Sequence, residues 1–151
     1  MLEQARVVIF DIDGTLADIS HRLHFVEHDS FREDTHNSDW DSFLDPENVK
    51  KDLPIWQLVN LAKSLNSCNY EIWLLTGRQE SLRVTTEAWL ESHGILYTKL
   101  IMRKNSDYRP DYEVKAEMLD DLELCNIQFA VDDRTPVVEM MKNRGILCLQ
   151  V

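Results

Sequence analysis

The chain has 151 residues, a length that suits one domain and buries a sizeable core without disulfides or a structural metal. Hydrophobic residues make up 44% and charged residues 28%, which excludes a disordered tail or a collagen-like repeat. Against 27 Asp and Glu stand 16 Lys and Arg, and the net charge of −11 argues against gripping long nucleic acid through a broad basic face.

No run approaches the ~20 apolar residues of a membrane span, and polar residues 1–6 carry no signal-peptide core, so a cytoplasmic protein is expected. Cys68, Cys125 and Cys148 are far apart, odd in number and free of any CxxC pair. They read as buried thiols in a reducing compartment rather than as a zinc or disulfide framework.

In chain order, the β-branched run 6–10 predicts a first strand ending at Asp11. Residues 18–51 are polar, with His21, His24, His28 and His36, and read as an insertion over the strand ends, partly helical at 20–26 and 39–44. The histidines belong to its solvated surface. Apolar Ile55, Leu58, Val59, Ala62 and Leu65 predict an amphipathic helix over 54–65, with Pro54 in its first turn. A strand over 70–75 follows, then a helix over 80–93 stopped by Gly94. A strand at 97–102, a helix at 111–124, a strand at 127–131, a helix at 135–143 and a strand at 146–150 complete the chain. This alternation predicts an α/β fold, a Rossmann-like doubly wound parallel sheet of five strands. Ligands of such sheets bind at the carboxyl ends of the strands.

The polar residues gather at those ends. Asp11 and Asp13 leave the first strand pointing the same way, so two carboxylates converge. They repel unless a cation or shared proton relieves them, and Mg²⁺ suits such a site; a polar turn built on Gly14 is the plainer alternative. Thr76-Gly77-Arg78 follows the second strand. Thr76 caps a helix or, with free N–H groups, seats a phosphate that Arg78 grips. Lys115 stands four residues after Asp111, as a simple helical ion pair would. Asp132 and Asp133 close the fourth strand, level with the first pair; one of them caps the next helix or both share a metal.

Acid pair, Thr, Lys and acid pair, standing here as DIDGT, LLTGR, VKAEML and VDDR, resemble the four motifs of haloacid dehalogenase-like (HAD) phosphohydrolases. The resemblance covers nearly the whole chain and implies strand order 3-2-1-4-5, with a cap insertion at about 18–51 in a single domain of 1–151. Residues 129–151, FAVDDRTPVVEMMKNRGILCLQV, are further similar to the 3′-phosphatase domain of bacteriophage polynucleotide kinase-phosphatases. A phage-encoded protein would work in the host cytoplasm. The 151 residues contain no GxxxxGK[ST] segment anywhere, so no kinase half is expected among them.

The resemblance implies Asp11 as nucleophile, Asp13 as general acid/base, and Thr76 and Lys115 on the phosphoryl oxygens. It implies Mg²⁺ on Asp11, Asp132 and the Asp13 backbone carbonyl, supported by Asp133, and Arg22, Gly77, Arg78 and Asp111 at the substrate. Arg22 and Arg78 are the expected grips on a second phosphate. The expected substrate is a polynucleotide 3′-phosphate; a small-molecule phosphatase such as a 5′-nucleotidase is the alternative, which the charge suits better. A silent binding module has little reason to keep four clustered acids. No obligate protein partner and no membrane are expected.

Overall fold

Val7, Val8 and Ile9 favour extended backbone, and they sit in the central strand of the sheet. The computed structural model describes residues 5–26, 39–124 and 126–151. Its elements are β1 (Arg6–Phe10), β2 (Ala17–Asp18), α1 (Ser20–Leu23), α2 (Trp40–Phe43), α3 (Pro46–Val49), β3 (Leu53–Pro54) and α4 (Trp56–Ser67). They continue with β4 (Tyr70–Gln79), α5 (Arg83–Ser92), β5 (Lys99–Arg103), α6 (Asp111–Asp120), β6 (Ile127–Asp132), α7 (Thr135–Asn143) and β7 (Cys148–Gln150).

Five strands pair in parallel in the order β5-β4-β1-β6-β7, which is the expected 3-2-1-4-5. Side chains alternate across β1 with the two-residue period of a strand. Val7 and Ile9 pack with Val114 and Met118 of α6 and Val137 and Met141 of α7. Val8 and Phe10 pack with Val59 and Ala62 of α4 and Trp89 and Leu90 of α5. Both faces are thus covered, and burying a side chain such as Phe10 is worth ~1.5–3 kcal/mol. β1 and β6 are neighbours, so Asp11 and Asp132 emerge side by side at one sheet edge.

The insertion begins and ends on a small antiparallel pair, Ala17 with Pro54 and Asp18 with Leu53. Pro54 is therefore a strand residue and not, as the spacing predicted, in the first turn of a helix; α4 starts at Trp56. The two helices expected in the insertion are single turns, and a third, α3, follows them. Asp45 starts α3 by accepting from the Glu47 N–H, with Pro46 in the first turn. Val49 and Leu44 of this segment pack on Leu82 and Met102, which seats it on the sheet's end. His28 and His36 lie outside the described residues.

Other boundaries shift, among them the strand expected at 97–102, which is Lys99–Arg103, and the helix expected at 80–93, which is α-helical over Arg83–Ser92. α6 stops at Asp120 rather than 124, where Asp120, Asp121 and Glu123 oppose the negative end of the helix dipole. β7 starts at Cys148. β4 runs past Leu75 to Gln79, and its pairing with β5 slips between Thr76 and Gln79. Cys68 is exposed, against the expectation of a buried thiol, whereas Cys148 is buried and burial pushes its thiol up to about 11. Cys125 lies outside the described residues. No helix among the described residues is long and apolar enough to cross a membrane.

Candidate active site

β1 delivers Asp11 to the sheet edge, where its N–H still donates to Val131 O. The chain then turns tightly: the N–H groups of Thr15, Leu16 and Ala17 all donate to Ile12 O, at 2.9–3.1 Å. Gly14 has φ +83°, and a Cβ there would run into the Asp133 carboxylate. Both the backbone angle and the close approach demand glycine.

Lys115 rises from α6 into the centre of the acids. Its Nζ lies 2.8 Å from Asp11 Oδ1, 2.8 Å from Asp132 Oδ2 and 3.1 Å from Asp111 Oδ2. The helical Asp111–Lys115 pair predicted by spacing is present, as one arm of three. Burial works against this ammonium's charge, but the three carboxylates outweigh it and hold its pKa well above the ordinary value.

The acids remain in excess. Burial pushes Asp11 well above the usual carboxylate range; Asp132 and Asp111 add to the rise while Lys115 opposes it. Asp133 is raised by burial and then by Asp132. Asp11, Asp132 and Asp133 each offer an oxygen within 4.8 Å of the others. Asp133 Oδ1 is buried without a hydrogen-bond partner. Converging hard oxygens, an orphaned acceptor and unbalanced negative charge fit a divalent cation such as Mg²⁺. The Asp13 carboxylate is not among these three.

Asp13 belongs to a second network. Its Oδ1 accepts from Arg22 Nη2 at 2.9 Å and from Arg78 Nε and Nη2 at 2.9 and 2.6 Å. Asp52, wholly buried, takes the other side of both guanidiniums. Its Oδ1 accepts from Arg22 Nε at 2.8 Å, and its Oδ2 from Arg22 Nη2 at 2.8 Å and Arg78 Nη2 at 2.7 Å. Burial opposes ionisation of Asp13, but Arg78 and then Arg22 outweigh it and hold the carboxyl below the usual range. Both guanidiniums are sealed from solvent, so the expected grips on a second phosphate are engaged with these two acids. His21 shares Asp52 at 2.9 Å and so is tied to the network rather than merely solvated; His24 is exposed and stacks on Phe25.

Thr76 is buried in β4 and accepts from the Arg78 N–H at 3.1 Å, so it caps no helix. A Cβ on Gly77 would come within 2.5 Å of Asp111 Oδ1. Asp132, similarly, accepts from the Arg134 N–H at 2.9 Å, just ahead of α7. Two residues here escape sequence reasoning. Asp52 is a lone acid in a polar stretch with no motif spacing. Arg103 closes β5 at the same edge, which is the only signal; it donates to Gly77 O at 2.9 Å and to Asp111 at 3.0 Å. Asp11, Asp13, Gly77, Arg78, Arg103, Asp111 and Asp133 line a cavity of about 750 Å³, which Ile19, Leu23, Trp40 and Phe43 of the insertion also border.

A family model described as the polynucleotide kinase PNKP phosphatase domain matches residues 36–151. The chain belongs to the PNKP phosphatase family of the HAD superfamily. It resembles a chain of the Pnkp1/Rnl/Hen1 RNA repair complex at 27% identity and TM-score 0.77, matching 97% of its own length but only 42% of that chain. A haloacid dehalogenase-like hydrolase from Streptococcus pneumoniae shares the fold at 15% identity and TM-score 0.70, over 97% and 84% of the two chains. A HAD-superfamily hydrolase from Geobacter sulfurreducens does so at 13% and 0.59, over 97% and 89%.

Removing Asp52 leaves two fully buried guanidiniums under-compensated. Asp52→Ala is expected to cost about 3–5 kcal/mol in denaturant unfolding, far above a surface change. A loss within the ~0.5 kcal/mol of a surface substitution contradicts the network's role.

Proposed function

We propose that the chain is a Mg²⁺-dependent phosphomonoesterase that removes 3′-phosphate from polynucleotide ends through an aspartyl-phosphate on Asp11. The observation that carries this is the Asp11 carboxylate, fixed by Lys115 at the floor of a cavity roomy enough for a nucleotide. Family membership supports the polynucleotide substrate, as does the likeness, at 27% identity, to a chain of an RNA repair complex. Residues 1–151 act as one domain, with 18–51 as the cap.

Asp11, Asp132 and the Asp13 backbone carbonyl would hold the ion, with Asp133 supporting it. When bound it supplies positive charge that lets an anionic nucleophile approach an anionic phosphate. Asp11 attacks phosphorus; its O–P bond forms as the bond to the leaving oxygen breaks. Asp13 gives that oxygen its proton, then takes one from the water that hydrolyses the aspartyl-phosphate. Among the described residues, the side-chain hydrogen bonds to Asp13 all use Oδ1, so Arg22 and Arg78 fix the group and leave Oδ2 for proton transfer. The Thr76 hydroxyl accepts from Arg78, which leaves its hydrogen for a phosphoryl oxygen. Lys115 has three N–H donors and three carboxylates, so a phosphoryl oxygen must displace one of them.

Phosphate release from 3′-phosphorylated oligonucleotides is expected to exceed that from 5′-phosphorylated ones and from 3′- and 5′-mononucleotides. Asp11→Asn should lower it by about a thousandfold or more, ~4 kcal/mol of barrier, in a protein that stays folded. The net charge of −11 favours the second reading, a 5′-nucleotidase. Faster release from 5′-mononucleotides than from 3′-phosphorylated ends selects it.

Metal binding carries its own signature. The raised pKa values of Asp11 and Asp133 stabilise the metal-free fold most below the ordinary ~4, and that contribution is lost as pH rises through the raised values. Mg²⁺ should reverse the loss, so its increase in Tm should be larger near pH ~8 than near pH ~5. EDTA should abolish turnover. Equal Tm shifts at both pH values, or full activity in chelator, contradict the metal assignment.

A further inference from the structure

Of the arginines that border the cavity, three are already engaged. Arg78 is buried on Asp13 and Asp52. Arg103 is spent on Asp111 and the carbonyls of Gly77, Asp107 and Arg109. Arg109 pairs with Asp107 and Glu117. Arg134 is different: among the described residues its exposed guanidinium makes no hydrogen bond or ion pair, yet it lines the cavity. Its position is well defined, because its own N–H donates to Asp132 Oδ1 and it begins α7.

The same cavity is walled by aromatic rings that the reaction itself does not use. Trp40 is 47% exposed and stands edge-on to Phe43, with centroids 5.6 Å apart. Tyr108, on the loop before α6, is 72% exposed, and its hydroxyl has no partner among the described residues. Three accessible rings, counting Tyr112 whose hydroxyl donates to Glu113, and one cation unpaired among the described residues exceed what a lone phosphomonoester needs. They match a group with a π-face and one further negative charge.

We propose that the cavity mouth seats the nucleotide next to the terminal phosphate: Arg134 holds the adjoining phosphodiester, and Trp40 and Tyr108 stack on the base. The inference rests on the proposed 3′-phosphatase reading and names the residues that recognise its substrate. With a net charge of −11 the rest of the surface repels a longer strand, so recognition ends after about one phosphodiester. The salt dependence of binding should then be shallow, with a log–log slope near ~ −0.7.

The test compares kcat/KM for glycerol 2-phosphate, a nucleoside 3′-phosphate, a 3′-phosphorylated dinucleotide and a longer 3′-phosphorylated strand. Wild type should gain about tenfold or more from mononucleotide to dinucleotide and little beyond it. Arg134→Ala should erase that gain, and Arg134→Lys should keep part of it. Trp40→Ala and Tyr108→Ala should lower the preference for base-bearing substrates over glycerol 2-phosphate by about tenfold. An undiminished dinucleotide gain in Arg134→Ala, or an equal loss on all four substrates, overturns the assignment. If wild type cleaves 5′-mononucleotides but none of the 3′-phosphorylated substrates, the underlying reading fails and this inference falls with it.

Discussion

The Lys115 ammonium is the cation around which the strand ends are assembled. It is fully buried, and it bonds carboxylates delivered by β1, β6 and its own helix α6. Crowding acids at one point is costly in a dry interior, because each ion loses its water and repels the others. One lysine relieves Asp11, Asp111 and Asp132 but leaves Asp133 with an unpartnered oxygen. The excess of negative charge, the raised Asp11 and Asp133 and the fit to a divalent ion all follow from that imbalance.

The second network couples the insertion to this centre. Arg22 comes from α1, Asp52 from the segment just before β3, and Arg78 from the irregular end of β4. Breaking a buried, hydrogen-bonded charge set by removing one member is strongly destabilising, so each member holds the others in place. Its product is an Asp13 whose ionised form is favoured and whose orientation is set from behind. The carboxylates two residues apart at the end of β1 thus have opposite surroundings: Asp11 is driven up by burial, and Asp13 is held down by two guanidiniums. In the metal-free protein this split runs against the proposed roles: a bound cation would favour ionised Asp11, and the negative charge of an arriving phosphate favours a proton on Asp13.

Much of this was legible in the sequence because it rests on local periodicity. The apolar runs, the helical stripes and the acids at strand ends define the sheet and the edge where chemistry gathers, and the family resemblance implies the strand order. The misses share a physical cause. Pro54 reads as a helix start locally, but pairing with Ala17 across the insertion's base makes it a strand residue. Arg22 and Arg78 read as grips on a second phosphate, and only the distant Asp52 makes burying both tolerable. Asp52 itself lies 30 residues from Arg22 with no motif around it. Arg103 and Arg134 differ only in what surrounds them in space. Long-range charge pairing leaves no periodic trace.

The central claim is that Asp11 becomes covalently phosphorylated by a polynucleotide end. Mixing the wild-type protein with an oligonucleotide labelled in its 3′-phosphate, quenching in acid within one turnover and mapping the peptides tests it most directly. The account predicts label on the peptide that contains Asp11, in step with release of the dephosphorylated strand, and none when Asp11 is changed to Asn. Release of labelled phosphate with no labelled peptide at any time, or label that persists without Asp11, contradicts it.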